Sequence, residues 1–151
     1  MPREHSFVVE VSWEGARRTT AAVAGKQSLD IAVPPEFGGI DPDVWSPEDA
    51  LVAAAGSCLA VTIAALADRE GVALHNLDVK ARGVVGRRPD GRFGFVRIEQ
   101  SVDVETDPGS EDVVQDLVGE AEKGCLVSVS LALPIEATAH VRTRAKPAEV
   151  A

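Results

Sequence analysis

Two cysteines are the residues of this sequence best suited to covalent chemistry. Cys58 lies in "SPEDALVAAAGSCLAVTIAALADR", residues 46–69, among Ala, Leu, Val and Ile. Cys125 directly follows Gly124 in "AEKGCLVSVS". A thiolate is a nucleophile, and two thiols can exchange electrons by closing a disulfide. An ordinary thiol, with a pKa of about 8.5, is only a few per cent ionised at neutral pH, so a reactive cysteine needs positive charge or hydrogen-bond donors beside it. Acid and base stand in the sequence where they could tune a thiol: Glu48 at a helix start, and Arg17 and Arg18 in the first turn. The competing explanation is plain. Free cysteine is among the most buried residue types, and in an Ala-rich helix it more often fills space. The placement of each cysteine at a helix, with no others in the chain, weighs against that.

Other chemistries find no support. His5, His75 and His140 are far apart and fit no ligand spacing, and with two cysteines there is no zinc pattern. There is no phosphate-cradling Gly loop. "GSC" is not a nucleophile elbow, because no strand leads into it.

The elements that must position the thiols are legible from periodicity. "FVVEVSW", "TTAAVAG" and "SLDIAV" read as three short strands, followed by the Gly/Pro/Asp-rich loop "EFGGIDPDVW". Ser46 is expected to cap a long helix, with Pro47 at its first position, Glu48 and Asp49 in its first turn, and Asp49 completing a capping box. Leu51, Ala55, Leu59, Thr62 and Leu66 form its stripe, and Gly71 is its left-handed stop. "LHNLDVKARGVVGRR" and "FGFVRIEQSVDVET" alternate on either side of "PDG", a β-hairpin. A second helix, "PGSEDVVQDLVGEAEKG", is expected to be capped by Ser110 and to bury Val113, Val114, Leu117, Val118 and Ala121. "LPIEATAHVRT" is a last strand, and the tail "RAKPAEVA" is expected to fray. No internal repeat or linker interrupts the 151 residues, which predicts one α+β domain.

Composition narrows the partners. The net charge of -9 argues against nucleic acid and anionic lipid surfaces. Residues 50–67 are uncharged, but their Ala content, with Gly56, Ser57 and Thr62, reads as too weakly hydrophobic for a membrane span and suits a helix buried on nearly all sides. The N-terminus "MPREHSFVVEVSWEG" is not a secretory signal, so a cytoplasmic, soluble protein is expected, in which a cysteine pair suggests redox cycling rather than a static bridge.

"SPEDALVAAAGSC" resembles the helix signature of the OsmC/Ohr superfamily, the osmotically inducible protein C and organic hydroperoxide resistance proteins. The signature is a Pro-Glu pair, an Ala-rich turn and a cysteine ten residues after the Glu, here Pro47, Glu48 and Cys58. Cys125 in "CLVSVSL" is similar to the family's second cysteine, with Leu126 where the family usually has Pro. The order of elements matches from about residue 6 to 143, nearly the whole chain. The resemblance implies an OsmC-like fold, antiparallel sheets around a long central helix in an intertwined homodimer. It also implies a thiol peroxidase. Cys58 would attack a hydroperoxide, Cys125 would resolve the sulfenic acid as a disulfide, and an external dithiol, of lipoyl type, would reduce it, with no bound cofactor or metal. The family places an Arg of the first hairpin beside the thiolate. Arg18 is the best match and Arg17 its neighbour, and adjacent strand positions face opposite ways, so only one can serve. Glu48 would hold that Arg. Along one straight helix Glu48 is roughly 15 Å from Cys58, so it must act through a long reach or across a two-fold interface.

Two rival readings need stating. A thioesterase-like fold would require a catalytic carboxylate or polar group within residues 50–67, which offer none. An OsmC-like protein that has lost catalysis and binds an apolar small molecule at the dimer interface fits the same pattern.

Overall fold

The computed structural model describes residues 3–144 and divides into two compact units, one ending at Leu51 and the other beginning at Val52. The first unit is a three-stranded antiparallel meander of β1 (Glu10–Trp13), β2 (Arg18–Ala22) and β3 (Leu29–Ala32), in that order across the sheet. The β1–β2 turn places Gly15 and Ala16 at positive φ. After β3 a 3-10 turn at Pro35–Phe37 folds back on the strand. A Cβ on Gly39 would stand 1.8 Å from the Val33 carbonyl oxygen, so no other residue fits there. The chain then returns to β3, where Ala32 N–H donates to the Trp45 carbonyl at 2.9 Å.

The helix α1, Pro47–Glu70, begins at Ser46 with the expected chemistry. Asp49 N–H donates to Ser46 Oγ at 3.0 Å and Ser46 N–H to Asp49 Oδ2 at 2.9 Å, a reciprocal pair that satisfies two otherwise orphaned donors. Gly71, at φ 68°, closes it.

The second unit lays α1 and α2 (Glu111–Gly124) on a sheet of β4 (Leu74–Arg87), β5 (Phe93–Thr106) and β6 (Ile135–Thr143). β4 and β5 form the long hairpin, turned at Asp90–Gly91. β6 runs parallel to β5, so this sheet is mixed rather than purely antiparallel. The reason is the crossover: α2 and the short α3 (Leu126–Ser130) carry the chain back to the end at which it re-enters the sheet. The core gathers Leu59 and Ile63 of α1, Val102 and Val104 of β5, and Val114, Val118 and Ala121 of α2, with Ala137, Ala139 and Val141 of β6 packed against it.

Several details depart from the sequence reading. Ser110 occupies the cap position of α2 but its hydroxyl makes no capping bond. Instead Gly109 N–H donates to Glu111 Oε2 at 2.8 Å. Val113 is exposed, because the buried stripe runs through Val114, Leu117, Val118 and Ala121. α1 is not buried all round. Ala55, Gly56, Leu59, Ile63 and Ala67 face inward, whereas Ala54, Ser57, Val61 and Ala65 are exposed. Its best 18-residue window has a mean hydropathy of 2.2, long and apolar enough to cross a membrane, which is more hydrophobic than its Ala content suggests. Arg144, at the start of the expected frayed tail, is tied down by Glu105 at 2.7 Å. The rest of that tail lies outside the described residues.

Candidate active site

Cys58 sits on the flank of α1, two residues beyond Gly56 and one before the core residue Leu59. Gly56 lets α1 come close to β4: a Cβ there would be 3.2 Å from the Cβ of Ala81. Cys58 is partly exposed and its thiol is free. Thr62 Oγ1 donates back to the Cys58 carbonyl at 2.7 Å, which occupies that carbonyl in addition to the helix ladder.

Cys125 is the junction residue between α2 and α3, extended at φ -68° and ψ 111°. Its thiol is free and fully buried. The two sulfurs meet. Burial pushes the Cys125 thiol up, but hydrogen bonds from the Cys58 thiol, the Ser128 side chain and the backbone N–H groups of Ser128 and Val127 outweigh it. The net effect holds the Cys125 thiol below the ordinary thiol value. No strict side-chain cap of α3 is formed, so the stabilisation is the sum of several weak sulfur contacts. A partly exposed cysteine and a buried one are thus joined in one unit, unbridged, with donors gathered around the buried partner.

Gln100 is a residue that the sequence reading missed. It interrupts the inward row of β5, Ile98, Gln100, Val102 and Val104, and is 4% exposed. Its Nε2 is buried without a hydrogen-bond partner. Leaving such a group unsatisfied costs about 1–3 kcal/mol. The signal was available as one amide in an otherwise apolar alternation. Ser128, which supports Cys125, carried no such signal.

The sequence-derived charges lie in the first unit. Arg18, at the start of β2, pairs with Asp30 at 3.2 Å and Asp41 at 3.4 Å. Arg17 is exposed and makes no ion pair among the described residues. Its guanidinium passes Gly38, where an added Cβ would be 3.3 Å from it. Both arginines line a cavity of about 760 Å³, walled also by Glu14, Ala32, Val33 and Ile40. Glu48, in the first turn of α1, has Oε2 buried and without a partner. Among the described residues no group of three or more His, Cys, Asp or Glu could hold a metal.

The family model of OsmC-like protein matches residues 40–140, more than half of the chain, and includes both cysteines and Glu48. The chain belongs to the OsmC-like family. One relative, the uncharacterized protein YmaD of Bacillus subtilis (strain 168), is 28% identical over 130 residues, 83% of this chain and 85% of that protein. Solved OsmC-like structures share the fold. An OsmC-like protein of unknown function from Vibrio cholerae superposes with a TM-score of 0.84 at 15% identity, over 91% of this chain and 100% of that one. An organic hydroperoxide resistance protein from Elizabethkingia anophelis does so with a TM-score of 0.76 at 19% identity, over 95% of this chain and 100% of that one. The OsmC-like resemblance read from Pro47, Glu48 and Cys58 is therefore established at the level of family and fold.

Proposed function

We propose that this OsmC-like protein is a thiol-dependent peroxidase that reduces organic hydroperoxides, with hydrogen peroxide as a lesser substrate, through a two-cysteine cycle. The observation that carries this reading is the contact between a partly exposed Cys58 and a fully buried Cys125, both free. Peroxide from solvent can meet only the exposed sulfur, so Cys58 is the peroxidatic residue. Its thiolate attacks one peroxide oxygen, the O–O bond breaks, and alcohol leaves. The resulting sulfenic acid is attacked by Cys125, which releases water and closes the disulfide. A resolving thiol must also be a nucleophile, and the donors around Cys125 favour its thiolate. An external dithiol, of lipoyl type, then restores both thiols. No bound cofactor or metal takes part.

An arginine of the first hairpin supplies the charge that activates Cys58, with Glu48 as its holder. Arg18 is the first candidate from the family pattern. Arg17 gains weight because Arg18 already shares its charge with two aspartates. The working form is an intertwined homodimer in the cytoplasm, with neither nucleic acid nor membrane as partner. Exposed apolar surface supports it: Val61 on the outer face of α1 is 65% exposed, and Trp13 on edge strand β1 is 74% exposed. The second reading, a non-catalytic OsmC-like protein that binds an apolar small molecule, finds support in the cavity of the first unit and in Leu126.

Peroxide consumption with dihydrolipoamide as reductant separates the two. Cys58→Ser should abolish turnover while leaving the fold intact. Cys125→Ser should consume about one equivalent of peroxide and stop as a trapped sulfenic acid. A Cys58→Ser chain that turns over like wild type would remove Cys58 from the mechanism.

A further inference from the structure

Cys125 is held by the segment that follows it. α3 is five residues long, and a helix that short is marginal on its own. It buries no residue, and Leu126 and Val129 are exposed. Yet it carries donors to the Cys125 sulfur, the N–H groups of Val127 and Ser128 and the Ser128 hydroxyl. Three bonds lie within the segment itself. Val129 N–H donates to the Cys125 carbonyl at 3.0 Å, Ser130 Oγ to the Leu126 carbonyl at 2.6 Å, and Leu131 N–H to the Ser128 carbonyl at 3.3 Å. A tie from another element comes from Arg88, one residue beyond the end of β4. Its Nη1 donates to the Phe95 carbonyl of β5 at 2.8 Å, and its Nη2 to the Ala132 carbonyl, just beyond α3, at 3.4 Å. Gly94 gives the side chain room, since a Cβ there would stand 3.3 Å from Arg88 Cδ. A half-buried guanidinium thus joins two main-chain carbonyls of separate segments, which its rigid fork suits.

We propose that Arg88 is a positioning residue for disulfide closure: it latches α3 in place, and α3 holds the Cys125 sulfur at Cys58. The inference rests on the peroxidase reading above. Arg88 acts through the main chain, from Ala132 back to α3. With α3 formed, the Val127 and Ser128 N–H groups converge on the sulfur that meets Cys58. After peroxide has left an oxygen on Cys58, the Cys125 thiolate attacks the Cys58 sulfur. The S–S bond forms, the S–O bond breaks, and hydroxide departs and takes up a proton as water. The earlier attack of Cys58 on peroxide starts from α1 and does not need α3 in place. The latch therefore governs the second step and spares the first.

The test compares full-length wild type, Arg88→Ala and Arg88→Lys. Two measurements need no peroxide. Hydrogen exchange of the reduced chain, read by mass spectrometry, should quicken by about fivefold over residues 126–131 in Arg88→Ala and stay unchanged in α1 and α2, the worth of one hydrogen bond. In a Cys58→Ser background, ultraviolet absorbance should show the Cys125 thiolate forming at higher pH once Arg88→Ala is added, because donors to its sulfur are lost. The third is a single turnover with one equivalent of cumene hydroperoxide, quenched and read for free thiol, dimedone-trapped sulfenic acid and disulfide. Consumption by Arg88→Ala should stay within about twofold of wild type, while closure slows by about fivefold and sulfenic acid accumulates. Arg88→Lys keeps a donor of similar reach and should fall between the two. A merely structural role in the hairpin would not shift the Cys125 titration or slow closure alone. Unchanged exchange over residues 126–131, an unchanged titration, or equal slowing of consumption and closure in Arg88→Ala would each overturn the proposal. A wild-type chain that consumes no hydroperoxide would overturn the peroxidase reading itself, and with it the role in closure, whatever the exchange shows of the latch.

Discussion

The Cys125 sulfur is held between two opposed effects, and this gives a pH prediction. Burial favours the neutral thiol, and the donors of Cys58, Ser128 and Val127 favour the thiolate more strongly. Removing one donor by Cys58→Ala should therefore raise the Cys125 pKa, which ultraviolet thiolate absorbance against pH would register. An unchanged titration would contradict the sulfur–sulfur contact. The sign for stability follows from the depressed folded pKa. The contribution is fully present above the unfolded thiol's ordinary value and is lost as pH falls through the folded value. The stability gap between wild type and Cys125→Ala should thus widen on going from neutral to alkaline pH. At this scale the sequence was only partly legible. Local pattern marked Cys58 and Cys125 separately, but their meeting depends on α1 and α2 packing into one core, which no local periodicity encodes. Gln100 was visible as a break in an apolar row, and only the absence of a partner makes that break chemical.

Helix ends and strand faces separate what local chemistry decides from what packing decides. Ser46 and Asp49 exchange both bonds of a capping box, and this was readable from "SPED" because the partners are three residues apart. Ser110 has the right residue type and position but no capping bond, because at φ -100° and ψ 2° its backbone is not in the extended conformation of a cap. Ser46→Ala should therefore cost about 1 kcal/mol of unfolding free energy, and Ser110→Ala less than about 0.5 kcal/mol. Equal losses in denaturant melts would contradict the distinction. The β4–β5 hairpin was legible because alternation and the "PDG" turn are both local. The parallel course of β6 was not, since Ile135, Ala137, Ala139 and Val141 alternate identically in either direction. The stripe of α1 was read correctly at Ala55 and Leu59 but a position early thereafter, with Thr62 for Ile63 and Leu66 for Ala67. In a helix this rich in apolar residues many stripes look alike, and the sheet selects one.

The family could be recognised at the scale of the whole molecule because Pro47, Glu48 and Cys58 lie in one short segment. How the uncharged helix is covered is not local. One face packs on sheet and α2, and the other presents Ala54, Ser57, Val61 and Ala65. If a second copy covers that face, sedimentation should find a dimer at micromolar concentration, and Val61→Lys should shift it toward monomer by burying an unpaired charge. A wild-type monomer under those conditions would contradict the homodimer. The central claim is that Cys58 and Cys125 act together on a hydroperoxide, and one measurement addresses it most directly. Reduced protein is mixed with one equivalent of cumene hydroperoxide, thiols are counted, and the digest is analysed for linked peptides. The account predicts loss of both thiols per chain, consumption of the peroxide, and a Cys58–Cys125 disulfide. Peroxide left unconsumed with both thiols still titratable would contradict it.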